Sequence, residues 1–168
     1  MVPATEADLP ALAELAGVIW RVCYAGILPP AQIVFMLKWM YGAETLREEM
    51  RLQGVHFYRL LAGERFAGFA ALGPTETADV MKLHKLYLLP ELHGRGLGSL
   101  MLEHCQAEAR RLGARRLILA VNKQNARAIA AYQRNGFAVA NSAVTDIGGG
   151  FVMDDFIMGK NLPAGGRK

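Results

Sequence analysis

Apolar residues recur at helical spacing over the first third of the chain and at strand spacing over much of the remainder. After Thr5 and Asp8, either of which can cap a helix, Leu12, Leu15, Ile19 and Cys23 form one apolar stripe. Leu28-Pro29-Pro30 ends that run and opens a second helix bearing Ile33, Phe35, Met36, Leu37 and Trp39. Gly42 separates it from a short third helix over residues 44–52. Two apolar runs, 55–61 and 66–72, flank Gly63-Glu64-Arg65 and predict a β-hairpin. Gly73-Pro74 predicts the start of a polar loop, and residues 80–89 a further strand. Residues 97–112 predict an amphipathic helix stopped by Gly113. The continuous apolar run 117–121 suits a buried strand. A helix over 125–135 is expected to end at Gly136, with strands 137–144 and 151–158 around Gly148-Gly149-Gly150. A disordered tail is expected over 163–168.

This order of elements predicts a mixed α/β (α+β) protein with one central sheet. At 168 residues the chain suits a single domain, expected over 1–162. An apolar fraction of 52% with 20% charged residues predicts a packed core rather than a disordered chain. Apolar runs fall far short of the roughly 18 residues of a membrane span. The N-terminus lacks the basic-then-apolar layout of a signal peptide. Cys23 and Cys105 follow no pattern and read as free thiols, so a reducing cytoplasm is the expected compartment. The net charge of +4 raises the question of nucleic acid, but the basic residues are scattered. The local cluster Arg110, Arg111, Arg115 and Arg116 flanks a helix C-terminus, where cations favour the dipole. With no zinc spacing and no RNA-binding signature, neither nucleic acid nor a metal is expected as a partner.

The stretch richest in chemistry runs from Leu86 to Leu100: an apolar run, a glycine turn, then the opening of a helix. Gly94, Gly96 and Gly98 permit close approach of backbone N–H groups to an anion, and the helix N-terminus adds partial positive charge. A phosphate-bearing ligand is therefore expected. No Gly-x4-Gly-Lys-[Ser/Thr] string exists, and the Gly-x-Gly-x-Gly spacing fits the dinucleotide fingerprint poorly. The next strand also ends in Asn122 rather than in the acidic residue that fingerprint requires. What fits is [Gln/Arg]-x-x-Gly-x-[Gly/Ala], with His93 in the first position, where a neutral imidazole still donates one hydrogen bond.

In that register the chain resembles the GNAT superfamily of acetyl-CoA-dependent N-acetyltransferases. Two further segments carry the resemblance. Residues 120–137 contain a strand ending in Asn122, then Asn125-x-x-Ala128-x-x-x-Tyr132 on a helix, then Gly136-Phe137. Leu83-His84-Lys85-Leu86-Tyr87-Leu88 is similar to the strand that precedes the family's loop. The resemblance covers about residues 55–160 and implies a mostly antiparallel sheet, splayed at the cofactor site and flanked by helices. The family's usual first strand would have to be residues 1–3, which is very short.

The resemblance implies acetyl-CoA as donor. Its pyrophosphate would be held by backbone groups from Leu92, His93, Gly94, Arg95, Gly96, Leu97, Gly98 and Ser99. Its pantetheine arm would pair with the backbone of Leu86 and Leu88, the Leu88 N–H polarising the thioester carbonyl. Asn125 is expected to bond that arm or cap its helix, and Asn122 to contact the cofactor. Tyr132, two helical turns beyond Asn125, is the candidate general acid or hydrogen-bond donor to the leaving thiolate. His84 is the candidate base, since strand alternation places it with Leu86 and Leu88 and its ordinary pKa suits the task. Lys82 occupies a position where some relatives carry a glutamate, and Asp79, Glu64 and Asp154 are weaker alternatives. Trp20, Tyr24, Trp39 and Tyr41 line the acceptor pocket or belong to the core. Asp154-Asp155 attracts a cationic amine or is an ordinary strand-end pair.

The leading expectation is an N-acetyltransferase acting on a primary amine of a small molecule or peptide, of the bacterial small-amine kind. The competing one is an acyl-CoA-binding sensor without efficient transfer. A homodimer through sheet edges is a further expectation from the resemblance.

Overall fold

The apolar stripes close over both faces of one sheet in the computed structural model, which describes residues 1–163. The expected tail over 163–168 lies, beyond Pro163, outside the described residues. On one face lie α1 (Leu9–Cys23), α2 (Pro30–Tyr41) and α3 (Ala43–Arg51), whose Leu12, Ile19, Trp20, Met36 and Leu46 pack on Phe69. On the other lie α4 (Leu97–Arg111) and α5 (Ala126–Arg134), with Leu102 packing against Leu72, Leu117, Leu119 and Met158. Between them run β1 (Val2–Pro3), β2 (His56–Ala62), β3 (Arg65–Pro74), β4 (Val80–Leu88), β5 (Arg116–Asn122), β6 (Ala138–Gly148) and β7 (Phe151–Asn161). The strand order is β1-β2-β3-β4-β5-β7-β6. Every neighbouring pair is antiparallel except β4–β5, which α4 joins as a parallel crossover. The mixed α/β class and the mostly antiparallel sheet are as expected.

Several boundaries depart from the sequence pattern. The very short first strand forms, pairing Val2 with Arg59 and Pro3 with Tyr58. Gly73 and Pro74 continue β3 instead of opening a loop, paired with Lys82 and Met81. Proline is tolerated there because β2 pairs with β3 only as far as Leu72, so no ladder bond needs the missing N–H. The last hairpin reaches Gly148 and Asn161, beyond the predicted ends at 144 and 158. Strand β6 is exposed over nearly its whole length. Pairing with β7 satisfies its backbone, so burial leaves no apolar signature in the extension.

One buried ion pair fastens α3 to the sheet. Lys85, only 2% exposed, directs Nζ at both carboxylate oxygens of Glu49 at 2.7 and 2.6 Å. Its Nζ also lies over the rings of Tyr41 and Phe57. Burial pulls the lysine pKa down while Glu49 works against that shift. Replacing Glu49 by alanine leaves the cation buried and unpaired, with an expected loss of about 3 kcal/mol. A chemical-denaturation curve compared with wild type checks that value.

Candidate active site

The parallel pairing of β4 with β5 begins at Val80↔Arg116 and ends at Leu83↔Leu119, although β4 continues to Leu88 and β5 to Asn122. Beyond Leu83 the two strands part, and a cleft of about 780 Å³ opens between them. Leu86, Tyr87 and Leu88 form one wall, Leu119, Ala120 and Val121 another, and α5 and the glycine turn contribute the rest. The Leu89 N–H donates to Ala67 of β3 at 2.9 Å. Because successive strand residues point their N–H groups to opposite edges, those of Leu88 and Leu86 face the cleft, where β5 no longer pairs with them. The cleft is thus bordered by an unpaired strand edge, able to take an extended amide chain by β-type hydrogen bonds.

The glycine turn closes one end. Gly94 and Gly96 adopt φ of +79° and +77°, the left-handed region that side chains rarely occupy. Gly96 is the N-cap of α4, and no side chain caps the helix. The N–H groups of its first turn therefore remain for a ligand. A Cβ built at Gly94, Gly96 or Gly98 would meet nothing within 4 Å, so the cradle faces open space. Gly94, Gly96, Gly98, Ser99 and His93 line the cleft. The Leu92 and Leu97 side chains pack instead into the small core around Leu60, Leu88 and Met101, leaving only their backbone for a ligand. The Arg95 side chain is exposed and outside the cleft lining. These features fit a pyrophosphate with a pantetheine arm.

His93 has a task of its own. Its Nε2 lies 2.9 Å from the Leu88 carbonyl oxygen, which can only accept, so Nε2 carries the proton. In the neutral ring Nδ1 is then the bare nitrogen, buried and without a partner among the described residues. Ser99 Oγ accepts from Asn135 Nδ2 at 3.1 Å and links the start of α4 to the end of α5.

Asn125 caps α5, its Oδ1 accepting from the Ala128 N–H at 3.1 Å, and it also lines the cleft. Asn122 Oδ1 accepts from the Gln124 N–H at 2.9 Å, and its side chain lies outside the lining. Tyr132 faces the cleft from α5, its ring edge-on to Phe137 with centroids 6.0 Å apart. Burial, with a smaller push from Cys105, raises its pKa to about 12. The phenol is therefore a stable hydrogen-bond donor and a poor source of a whole proton for a thiolate, whose conjugate acid lies near 8.5.

His84 is placed by an irregularity absent from the hydropathy pattern. Lys85 pairs with Ala71 and Leu83 with Leu72, so His84 is an extra residue, a β-bulge that interrupts the alternation. Leu86 and Leu88 pack toward α4, whereas the His84 ring lies over Gly73 beside Val55, on the α1–α3 face. The shared face expected for these three residues is thus corrected. A Cβ at Gly73 would come 2.7 Å from His84 Nε2, so glycine is required there for the ring to lie as it does. His84 still reaches the cleft, and its Nε2 is buried without a partner among the described residues. Burial, then Lys82 and Lys85, lower its pKa to about 4, and the imidazole is neutral at physiological pH.

Of the aromatic candidates, Tyr24 alone lines the cleft. Trp20 stacks on it at 4.3 Å and, like Tyr41, is core, while Trp39 is 51% exposed and apart from the cleft. Hydropathy cannot separate these positions, since all four lie in or beside amphipathic helices. Gln124, Arg127 and Arg134 line the cleft without having been singled out from sequence, and Cys23, read there only as a core thiol, lines it too. Lone polar residues at helix ends carry no pattern of their own.

A splayed parallel pair feeding a glycine turn and an uncapped helix defines a coenzyme-binding α/β architecture. The chain belongs to the acetyltransferase (GNAT) family, whose model matches residues 21–137. It is 30% identical over 150 residues to a spermidine N(1)-acetyltransferase of Thermoplasma acidophilum, covering 88% of this chain and 90% of that protein. It is 37% identical over 98 residues to an uncharacterised N-acetyltransferase of Mycobacterium bovis, covering 58% of this chain and 62% of that protein. This chain thus spans less than two thirds of that relative's length. Among solved structures, the PaiA N-acetyltransferase of Thermoplasma acidophilum in complex with coenzyme A superposes with a TM-score of 0.78 at 29% identity. That match covers 94% of this chain and 95% of the other. The ribosomal-protein-S18-alanine N-acetyltransferase of Escherichia coli shares the fold, at a TM-score of 0.72 and 22% identity over 99% of this chain and 95% of that one.

Proposed function

We infer that the protein transfers an acetyl group from acetyl-CoA to the primary amine of a small cationic molecule. The observation that carries this reading is the unpaired β4 edge leading directly into the glycine turn and the uncapped start of α4. The donor supplies an activated thioester. The glycine turn and the first N–H groups of α4 hold its pyrophosphate, and the β4 edge at Leu86 and Leu88 aligns its arm. The Leu88 N–H, which faces the cleft, would polarise the thioester carbonyl, where charge develops. The acceptor's ammonium must lose a proton before its nitrogen attacks. That proton goes to water, and neutral His84, whose pKa near 4 makes it too weak a base to take the proton itself, accepts a hydrogen bond from that water. The carbon–nitrogen bond forms as the carbon–sulfur bond breaks, the second proton shed by the nitrogen on becoming an amide passes through solvent to the thiolate, and Tyr132 donates a hydrogen bond to that thiolate as it departs.

The small-amine class is supported by the similarity to the spermidine N(1)-acetyltransferase over most of both chains. The sensor alternative is disfavoured by the Tyr132 phenol in the cleft, which mere retention of a coenzyme does not require. Calorimetry with acetyl-CoA, followed by amines while released thiol is monitored, tests the proposal. Binding with amine-dependent thiol release is the expected outcome. Binding without release on any amine would leave only the sensor.

A further inference from the structure

On the face of the sheet opposite α4 and α5, one carboxylate lacks the partner that burial demands. Asp155 is only 6% exposed, and its Oδ1 has no hydrogen-bond donor among the described residues. Its neighbour Asp154 is already engaged by Lys123 in an ion pair. Strand β7 alternates: Phe156 and Met158 pack toward α4 and α5, while Met153 packs beneath α1 and α2. Asp155 shares the Met153 face. Register places Asp155 opposite Asn122 at the end of β5, beside the cleft lining rather than within it. One step back along β5, Ala120 is exposed and floors the cleft on this same face, opposite Ile157. Tyr24, just past the C-terminal end of α1, lines the cleft, and its phenol pKa is raised chiefly by burial, then by Tyr87 and Tyr132, with Asp155 close enough to add to the shift.

The unpartnered Asp155 oxygen stands one register step behind Ala120, which with Tyr24 lines the cleft on this face. Burying a carboxylate unpaired is costly, and a functional site is where such a cost is met by a ligand. Lys82 and Lys123 are the cations that act on Asp155, and neither donates a hydrogen bond to it. We propose that Asp155 is the specificity residue for the acceptor, its free carboxylate oxygen taking an ammonium group that enters over Ala120 from the α1–α2 face. The acceptor is then an aliphatic amine bound as its cation, and neutral amines gain nothing from this contact. The inference deepens the proposed acetyl transfer and rests on its assignment of the cleft.

The test is a binding measurement that needs no turnover. Protein saturated with coenzyme A is titrated calorimetrically with spermidine, and in parallel with aniline, which is uncharged at neutral pH. Wild type is expected to bind spermidine, with affinity falling as salt is added. Asp155→Asn, of the same shape, is expected to weaken spermidine roughly 30-fold while leaving coenzyme A binding and the response to aniline unchanged. Asp155→Ser gives the same readout should the amide impair folding, which coenzyme A affinity reports. Equal spermidine affinity in wild type and Asp155→Asn overturns the proposal, as does failure of wild type to bind spermidine. Asp155-dependent binding without thiol release from acetyl-CoA would uphold this site and remove the proposed transfer, so the two readings fail separately.

Discussion

Gly96→Asp is expected to abolish acetyl-CoA binding while leaving the protein folded. Aspartate tolerates the left-handed conformation better than most residues, and its Cβ would enter open space at this position. It is also a favoured N-cap, so its carboxylate would accept from the first-turn N–H groups of α4, which no side chain caps in the native protein. The helix gains a cap and the cradle gains a resident anion. A phosphate approaching within about 4 Å of that carboxylate meets repulsion of order 4 kcal/mol, close to a thousandfold in affinity. Calorimetry is expected to register no binding at coenzyme concentrations that saturate wild type. Gly96→Ala carries a comparable backbone cost without the charge and is expected to keep most of the affinity. Normal binding by Gly96→Asp would remove the glycine turn from the site.

Tyr132→Phe is expected to lower kcat at least about tenfold with the acetyl-CoA dissociation constant nearly unchanged. A hydrogen bond to a charged group contributes about 1.5–3 kcal/mol, and this one reaches full strength only as the thiolate forms. The phenylalanine ring keeps the packing against Phe137, so the fold is untouched. With the phenol near pKa 12, the rate of wild type should show no loss from tyrosine ionisation below about pH 11. A kcat unchanged in Tyr132→Phe would show that the phenol only packs. A fall in affinity equal to the fall in rate would make it a binding group instead.

Most of the donor site was legible in the chain because local backbone chemistry writes it. Gly94, Gly96 and Gly98 mark a turn of unusual torsions wherever they occur, and the start of α4 follows within the same few residues. Asn125 and Tyr132 lie on one helix, so their spacing alone places them on one face. The acceptor side was poorly legible. His84 was assigned by alternation, and the alternation fails at that residue through the mismatch between β3 and β4. Trp20, Tyr24, Trp39 and Tyr41 form one class by sequence and three by environment: core, cleft and solvent.

The sequence by itself determined the order of elements, the glycine cradle and the helix that bears Asn125 and Tyr132, because each depends on torsions and periodicity within about twenty residues. Tertiary structure alone decided where β4 and β5 part, which side His84 takes, and that Asp155 is buried without a donor while Asp154 is paired. These depend on register and on neighbours brought from distant segments. A strand edge is unpaired, or a carboxylate unsatisfied, only with respect to what stands beside it, and only the folded chain sets that.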